Sequence, residues 1–205
     1  MAKIIVLDID DYSLLRNRWD LMLELKEHYP NLKLSLFTIP FDVQYEGTRQ
    51  FSIMRDKQLK KLKDNLDWIQ IIPHGLTHMP REFEKADRVT TKLALKSIDE
   101  AFKKDGIPYQ KGFKAPFWLW NQDVVDVLNE EGWFGATDRN QPDMLKTDIN
   151  YIYNWDLKDQ FPKDQEIVKG HGHMTLPSEN ALENVFTNLL KMPTDVEFKF
   201  VTDLL

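Results

Sequence analysis

The sequence predicts an α/β fold, a distorted (β/α)7-type barrel in a single domain over residues 1–205. Three observations carry that prediction. Short apolar runs rich in β-branched residues alternate with helical patterns along the chain, the order of a mainly parallel sheet. No internal repeat, low-complexity tract or linker divides it. Its 205 residues suffice for one sizeable core.

Lys3–Ile9 reads as a strand buried on both faces, ending in Asp8, Asp10 and Asp11. Ser13 is placed to cap a helix whose apolar stripe is Leu15, Trp19, Met22 and Leu25, stopping before Pro30. Leu32–Ile39 is the second strand, and Arg55–Asn65 a helix with Leu59 and Leu62 on one face. Trp68–Ile72 gives a third strand, closed by Pro73. Asp87–Lys104 is helical, with Leu95, Ile98 and Phe102 aligned, and Gly106 and Pro108 stop it. Gly112–Ala115 is a short strand, and Asn121 caps a helix through Glu131 that ends at Gly132. Phe134–Thr137, Ile149–Trp155 and Glu166–Lys169 are further strands. Ser178–Leu190 is the last helix and Val196–Val201 the last strand.

The bulk numbers narrow the function. A net charge of -6 argues against nucleic acid as the main partner, because phosphate binding wants a basic surface. With no cysteine, a metal must be held by His, Asp or Glu. The N-terminal stretch is too short for a signal peptide, and no apolar run approaches the ~20 residues that span a bilayer. The expectation is a cytoplasmic protein acting on a small molecule or glycan, without nucleic-acid or membrane partners. The composition carries no reading of oligomeric state.

Barrels of this kind place their chemistry at the C-terminal ends of the strands. Those ends carry Asp8, Asp10 and Asp11; His74-Gly-Leu-Thr-His78; Lys114-Ala-Pro-Phe117; Trp155-Asp156; and His171-Gly-His173. Four of the five histidines fall there, and His28 lies in a helix. Two His with three residues between them can converge on one cation, and a carboxylate from another strand completes a three-ligand site with an open position. A divalent cation so held polarises a carbonyl oxygen and acidifies water, as amide hydrolysis requires. A second carboxylate can act as base and a further His can protonate the leaving nitrogen. The neighbours Asp10 and Asp11 and the His171 segment supply those parts. Alone, a His-x-x-x-His spacing is more often a surface pair, adjacent aspartates more often cap turns, and His171-Gly-His173 could be a polar turn. Their joint occurrence at strand ends shifts the balance. Phe117, Trp118 and Trp155 are the candidate substrate contacts there.

These residues resemble the NodB-like polysaccharide deacetylases, carbohydrate esterase family 4. Ile9-Asp10-Asp11 resembles the core of the family's Thr-Phe-Asp-Asp-Gly motif, with Asp8 and Tyr12 at the flanks. His74-Gly-Leu-Thr-His78 matches its His-x-x-x-His motif, and Lys114-Ala-Pro-Phe117 is similar to its Arg-x-Pro-Tyr motif. Ile167–Gly172 resembles the strand leading into the catalytic His, and Phe200–Leu205 the C-terminal strand. The resemblance implies that Asp11, His74 and His78 bind a divalent metal, zinc first, with Asp10 as base and His171 as acid; His173 competes for the acid role. Lys114 takes the place of the Arg that orients the base, keeping the charge without the planar grip. The Phe117 backbone amide would help hold the oxyanion. The implied activity is hydrolysis of an N-acetyl or other amide on an amino sugar or related small molecule.

Two alternatives come from other classes. Val6–Asp11 also resembles the Asp-x-Asp motif of haloacid-dehalogenase-like phosphatases, with Asp8 as nucleophile, Asp10 as acid/base, magnesium as metal, and Thr38 and Lys114 in supporting places. That reading leaves His74, His78 and His171 without a task. The other is a catalytically inactive deacetylase-like domain that binds a glycan through Trp118 and Trp120.

Overall fold

The first strand, β1 (Ile4–Tyr12), sends alternate side chains to opposite faces, and both faces are buried. Ile5, Leu7 and Ile9 pack outward into the core shared with the helices, whereas Val6 joins a second cluster with Phe37, Ile72, Ala136, Tyr151 and Tyr153. That second cluster is the barrel interior. The computed structural model describes residues 3–42, 49–138, 150–175 and 177–205. Around β1 stand β2 (Leu34–Thr38), β3 (Ile69–Pro73), β4 (Gly112–Phe113), β5 (Phe134–Thr137), β6 (Tyr151–Ile152), β7 (Trp155–Asp156), β8 (Ile167–His173) and β9 (Glu197–Lys199).

One sheet runs β3-β2-β1-β8-β7 and a second runs β4-β5-β6. Every ladder between these strands is parallel. A single bridge, His74 to Lys114, joins β3 to β4 and brings the two sheets into one distorted barrel. β9 pairs with Ile4–Val6, along the edge that β2 takes from Leu7 onward. The helices are α1 (Trp19–His28), α2 (Arg49–Lys63), α3 (Arg88–Asp105), α4 (Gln122–Glu130) and α5 (Leu182–Leu189). None is long and apolar enough to cross a membrane.

Local chemistry sets several boundaries where the sequence places them. Asp87 caps α3 by accepting from the Thr90 N–H, and Gly106 ends it in the left-handed conformation, φ 62°. Asn121 caps α4 through the Val124 N–H. Other boundaries move. Ser13 does not start α1: its hydroxyl accepts from the Leu15 and Arg16 N–H groups and donates to Asp42, making a turn. The helix begins at Trp19 and buries Trp19, Met22 and Leu25, leaving Leu15 outside it. α2 begins at Arg49 rather than Arg55, and α5 at Leu182 rather than Ser178.

The expected strand Ile149–Trp155 is two short strands with different neighbours, β6 beside β5 and β7 beside β8; Ile149 itself lies outside the described residues. The expected last strand stops at Lys199, and Val201–Leu204 form a 3-10 turn. Asp203 accepts from the Phe200 N–H to start that turn, while Val201 N–H donates to Ser35 and Thr202 accepts from Gln70. The C-terminus therefore packs against the floor of the barrel interior instead of extending a sheet.

Candidate metal centre and active site

Register places the first half of the site. In the β1–β8 ladder Asp8 lies beside His171 and Asp10 beside His173, all at interior positions. Both histidines are therefore inside a strand, not past its end as the sequence reading has it. The reason is the glycine before each of them. A side chain at Gly170 would meet Leu157 and Trp155 at 2.8 Å, and one at Gly172 would meet Leu157 at 2.7 Å. Gly-His-Gly-His is thus a period-two strand with nothing on the crowded outer face and imidazole on the inner one.

At the barrel centre Lys114, fully buried, donates to Asp8 Oδ1 and Asp10 Oδ1, each at 2.7 Å. Its ammonium also lies 3.7 Å from the centre of the Phe37 ring. His171 Nδ1 meets the same Asp8 oxygen at 2.7 Å. Its ring stacks on Tyr153, centroids 4.6 Å apart, and meets Trp118 edge-to-face with centroids 5.2 Å apart. Burial alone would raise the Asp8 pKa, but Lys114 and His171 outweigh it and hold the carboxyl well below its usual range. Burial, with the Asp8 charge added, pushes the Tyr151 phenol well above its ordinary value. His173 has no carboxylate on its Nδ1; that atom meets Asn180 Oδ1 at 2.6 Å.

The other half is built on strained backbone, at the irregular end of β1 and in the turns after β3 and β4. Asp11, His78, Arg81, Phe117 and Trp118 all adopt positive φ, between 56° and 66°. Such residues cost about 1–3 kcal/mol each and persist where the surroundings over-determine them. Glu82 does much of that work for the segment after β3. Its carboxylate accepts from the Leu76 N–H (2.7 Å), the Thr77 N–H (3.2 Å) and the Thr77 hydroxyl (2.6 Å). Gly75 permits this closeness: at φ 67°, an added Cβ would sit 2.2 Å from Glu82 Oε1 and 2.5 Å from Pro116.

The result is a convergence of Asp11, His74 and His78, with one ligand atom from each lying within 4.8 Å of the others. Asp11 Oδ1 is 2.9 Å from His78 Nε2 and 3.4 Å from His74 Nε2. No hydrogen bond closes on that buried oxygen. His74 Nδ1 is engaged by the Lys114 carbonyl at 3.0 Å, which leaves Nε2 for the cluster. A carboxylate oxygen facing two imidazole nitrogens without a hydrogen bond is the donor set a divalent cation fits. Burial opposes both charged forms here. Even so, the imidazoles hold Asp11 well below the usual carboxylate range, and the Asp10 and Asp11 carboxylates raise His74. A cavity of about 550 Å³ lies elsewhere, between Tyr12, Arg55 and Asp105, and includes none of these groups.

Of the candidate substrate contacts, Phe117 is 51% exposed and covers His78 at 5.0 Å, and Trp118 is half-buried against His171 and Tyr153. Trp155 is misassigned by the sequence reading. It is 3% exposed on the outer face of β7, donates to the Asp159 carbonyl and packs edge-on to Phe161. Strand parity turns it away from the interior that Tyr153, two residues earlier, occupies. Trp120 is likewise core, against Phe113. Three contributors escaped the sequence reading as parts of a hydrolytic site: Asp8, Glu82 and Tyr153. Only Glu82 had a local signal, an acidic residue four positions after His78 beside a glycine-containing turn.

No family model matches the chain, and no curated protein matches it in sequence. Solved structures do. A chitin deacetylase from the fungal pathogen Colletotrichum lindemuthianum superposes with a TM-score of 0.64 at 11% identity, covering 100% of this chain and 90% of that one. The Xyl-CE4 domain of a multidomain xylanase, from the hindgut metagenome of Trinervitermes trinervoides, gives 0.60 at 14% identity, with 100% and 90% covered. A CE4 family pseudoenzyme from Bacillus anthracis gives 0.59 at 15% identity, covering 99% of this chain and 65% of that one. With its parallel, distorted barrel and its strand order, the chain has the fold of the carbohydrate esterase family 4 structures.

Proposed function

We propose that this protein is a divergent carbohydrate esterase family 4 hydrolase that removes an N-acetyl group from an amino sugar or a related small amide. The observation that carries the reading is the Asp11–His74–His78 convergence around an oxygen with no hydrogen bond. These three residues would hold the cation. Zinc is the first choice, because two imidazoles and one carboxylate suit it. When bound, it supplies Lewis acidity to the carbonyl oxygen and acidifies water.

The chain's own groups account for the remaining chemistry. Asp10 is the base: Lys114 pins its Oδ1, and Oδ2 points toward the cluster, 3.7 Å from His74 Nε2. His171 is the acid. Asp8 accepts from its Nδ1 and so directs the transferable proton to Nε2, a positioning role that this strand supplies itself. The Phe117 backbone amide stands as the donor for the developing oxyanion, and Phe117 and Trp118 offer ring faces to a sugar.

Two similar structures guide the substrate choice: the chitin deacetylase, and a structure described as a peptidoglycan N-acetylglucosamine deacetylase. The phosphatase reading fits poorly, since Asp8 is fully buried beneath Lys114 and His171 and presents no open face to a phosphate. The inactive-domain reading loses support from Lys114, which keeps its ion pair to Asp10, and from Trp120, which is core. The test is acetate release from N-acetylglucosamine oligomers by zinc- or cobalt-loaded protein. Activity lost with chelator and in His74→Ala is expected. Stoichiometric metal uptake without turnover on a broad amide panel would sink the catalytic reading, and no metal uptake would sink the whole.

A further inference from the structure

The wall of the site opposite the Asp11 cluster carries a second convergence. Asp10, His171 and His173 each offer a ligand atom within 4.8 Å of the other two. The imidazole centroids are 5.0 Å apart, and Asp10 and His173 are side by side in the β1–β8 ladder.

The hydrogen bonds behind these rings decide which nitrogen is available. Asp156 Oδ1 accepts from Asn180 Nδ2 at 3.0 Å, and a carboxylate only accepts, so the Asn180 amide must present its NH2 there. Its oxygen then faces His173 Nδ1 at 2.6 Å, which makes Nδ1 the protonated nitrogen and leaves the Nε2 lone pair free. The same logic holds for His171, whose Nδ1 faces Asp8 at 2.7 Å. Both rings are therefore oriented from behind by an acceptor, the arrangement that aligns histidines as metal ligands. The backbone stiffens it: His173 N–H donates to the Asn180 carbonyl, and Met174 N–H to the Asp10 carbonyl.

We propose that Asp10, His171 and His173 form a second divalent-cation site adjoining the first, and that its occupation silences the protein. The silencing rests on the acid–base assignment above, because a cation there takes the Asp10 carboxylate and His171 Nε2 out of proton transfer. The binding does not rest on it. Charge sets the order of filling. With neutral imidazoles, Asp8, Asp10 and Asp11 against Lys114 leave two net negative charges, which one divalent cation cancels. The second cation enters a neutralised pocket and binds at least about tenfold more weakly than the first.

The experiment titrates metal-free protein with Zn²⁺ and with Co²⁺, following uptake by calorimetry and by metal analysis after dialysis at fixed free metal. Wild type takes up two equivalents of unequal affinity. His173→Gln takes up one, the tighter, and His78→Ala retains the weaker. Asn180→Ala removes the acceptor behind His173 without removing a ligand, and so guards against a folding defect at residue 173; it keeps the tight equivalent and weakens the other about 10–100-fold. Excess Zn²⁺ inhibits wild type but not His173→Gln. A single equivalent in wild type, unchanged in His173→Gln, overturns the second site and leaves the first standing. No uptake by any form overturns both. Two equivalents without inhibition by excess metal overturn the silencing.

Discussion

The two walls of the cup around Asp10 and Asp11 are built in opposite ways. The β8 wall is regular strand: ladder register sets Asp8 beside His171, Asp8, Asp10, Lys114 and His171 are all buried, and Lys114 ties the two carboxylates together. The His74–His78 wall is irregular backbone, with positive φ at Asp11 in the irregular end of β1 and at His78 and Phe117 in the turns, and a single carboxylate, Glu82, gathering the N–H groups after β3. A buried charge in a strand needs an obligatory counter-charge, and removing either partner is expensive. A strained loop needs an anchor, and its failure loosens geometry before it threatens the fold. The first wall should thus govern stability and the second metal affinity.

The largest expected effect tests the loop wall. Asp11→Asn or His78→Ala abolishes tight metal uptake, a loss beyond the roughly 10–100-fold that removing an outer partner costs. The melting temperature of the metal-free protein stays close to wild type. A large drop there would erase the distinction between the walls.

Next comes the strand wall. Lys114→Met strands two buried carboxylates and lowers unfolding free energy by about 3–5 kcal/mol, measured by denaturant titration of metal-free protein. Lys114→Arg keeps the charge but overfills a position closed by Phe37, costing about 1–3 kcal/mol. If both variants unfold at the wild-type midpoint, the ion pair is not what holds this wall.

Glu82→Ala sharpens the comparison at lower cost. It frees the Leu76 and Thr77 N–H groups, and the expected loss is about 1–3 kcal/mol of stability with metal affinity about 10–100-fold weaker. Equal metal affinity in variant and wild type would show that the strained turns hold themselves.

The smallest effect is in pH. The folded-state pKa of Asp8 lies below its ordinary value of 3.8, so its contribution is complete above that pH and is lost as pH falls through the folded value. Between pH 5 and pH 3 wild type should lose more stability than Asp8→Asn, which has no proton to take up. Parallel losses in the two proteins would remove Asp8 as a source of acid sensitivity.

Much of this architecture is legible in a single sequence because it is local. Asp87 and Asn121 are caps whose partners lie three residues on. The proposed metal ligands fall on one chain segment, His74–His78, and on the end of the first apolar run. The misplacements share one cause. Trp155 and the His171 segment were assigned by nearness to a strand end, whereas strand parity decides which way a residue faces, and a shift of one reverses it. Ser13 accepts from the Leu15 and Arg16 N–H groups as a cap would, but its hydroxyl also ties the turn to Asp42, 29 residues away, and the helix starts only at Trp19.

The sequence by itself determined the alternation of strands and helices, the capped helices and the set of residue types able to hold a cation, since periodicity, caps and ligand chemistry act over a few residues. Only the tertiary structure decided the partners. Lys114 lies 106 residues from Asp8 and 104 from Asp10, and His171 lies 163 from Asp8. Those meetings depend on the register of the β1–β8 ladder and on the one bridge joining β3 to β4, and pairing across the sheet leaves no mark in the spacing of either segment alone.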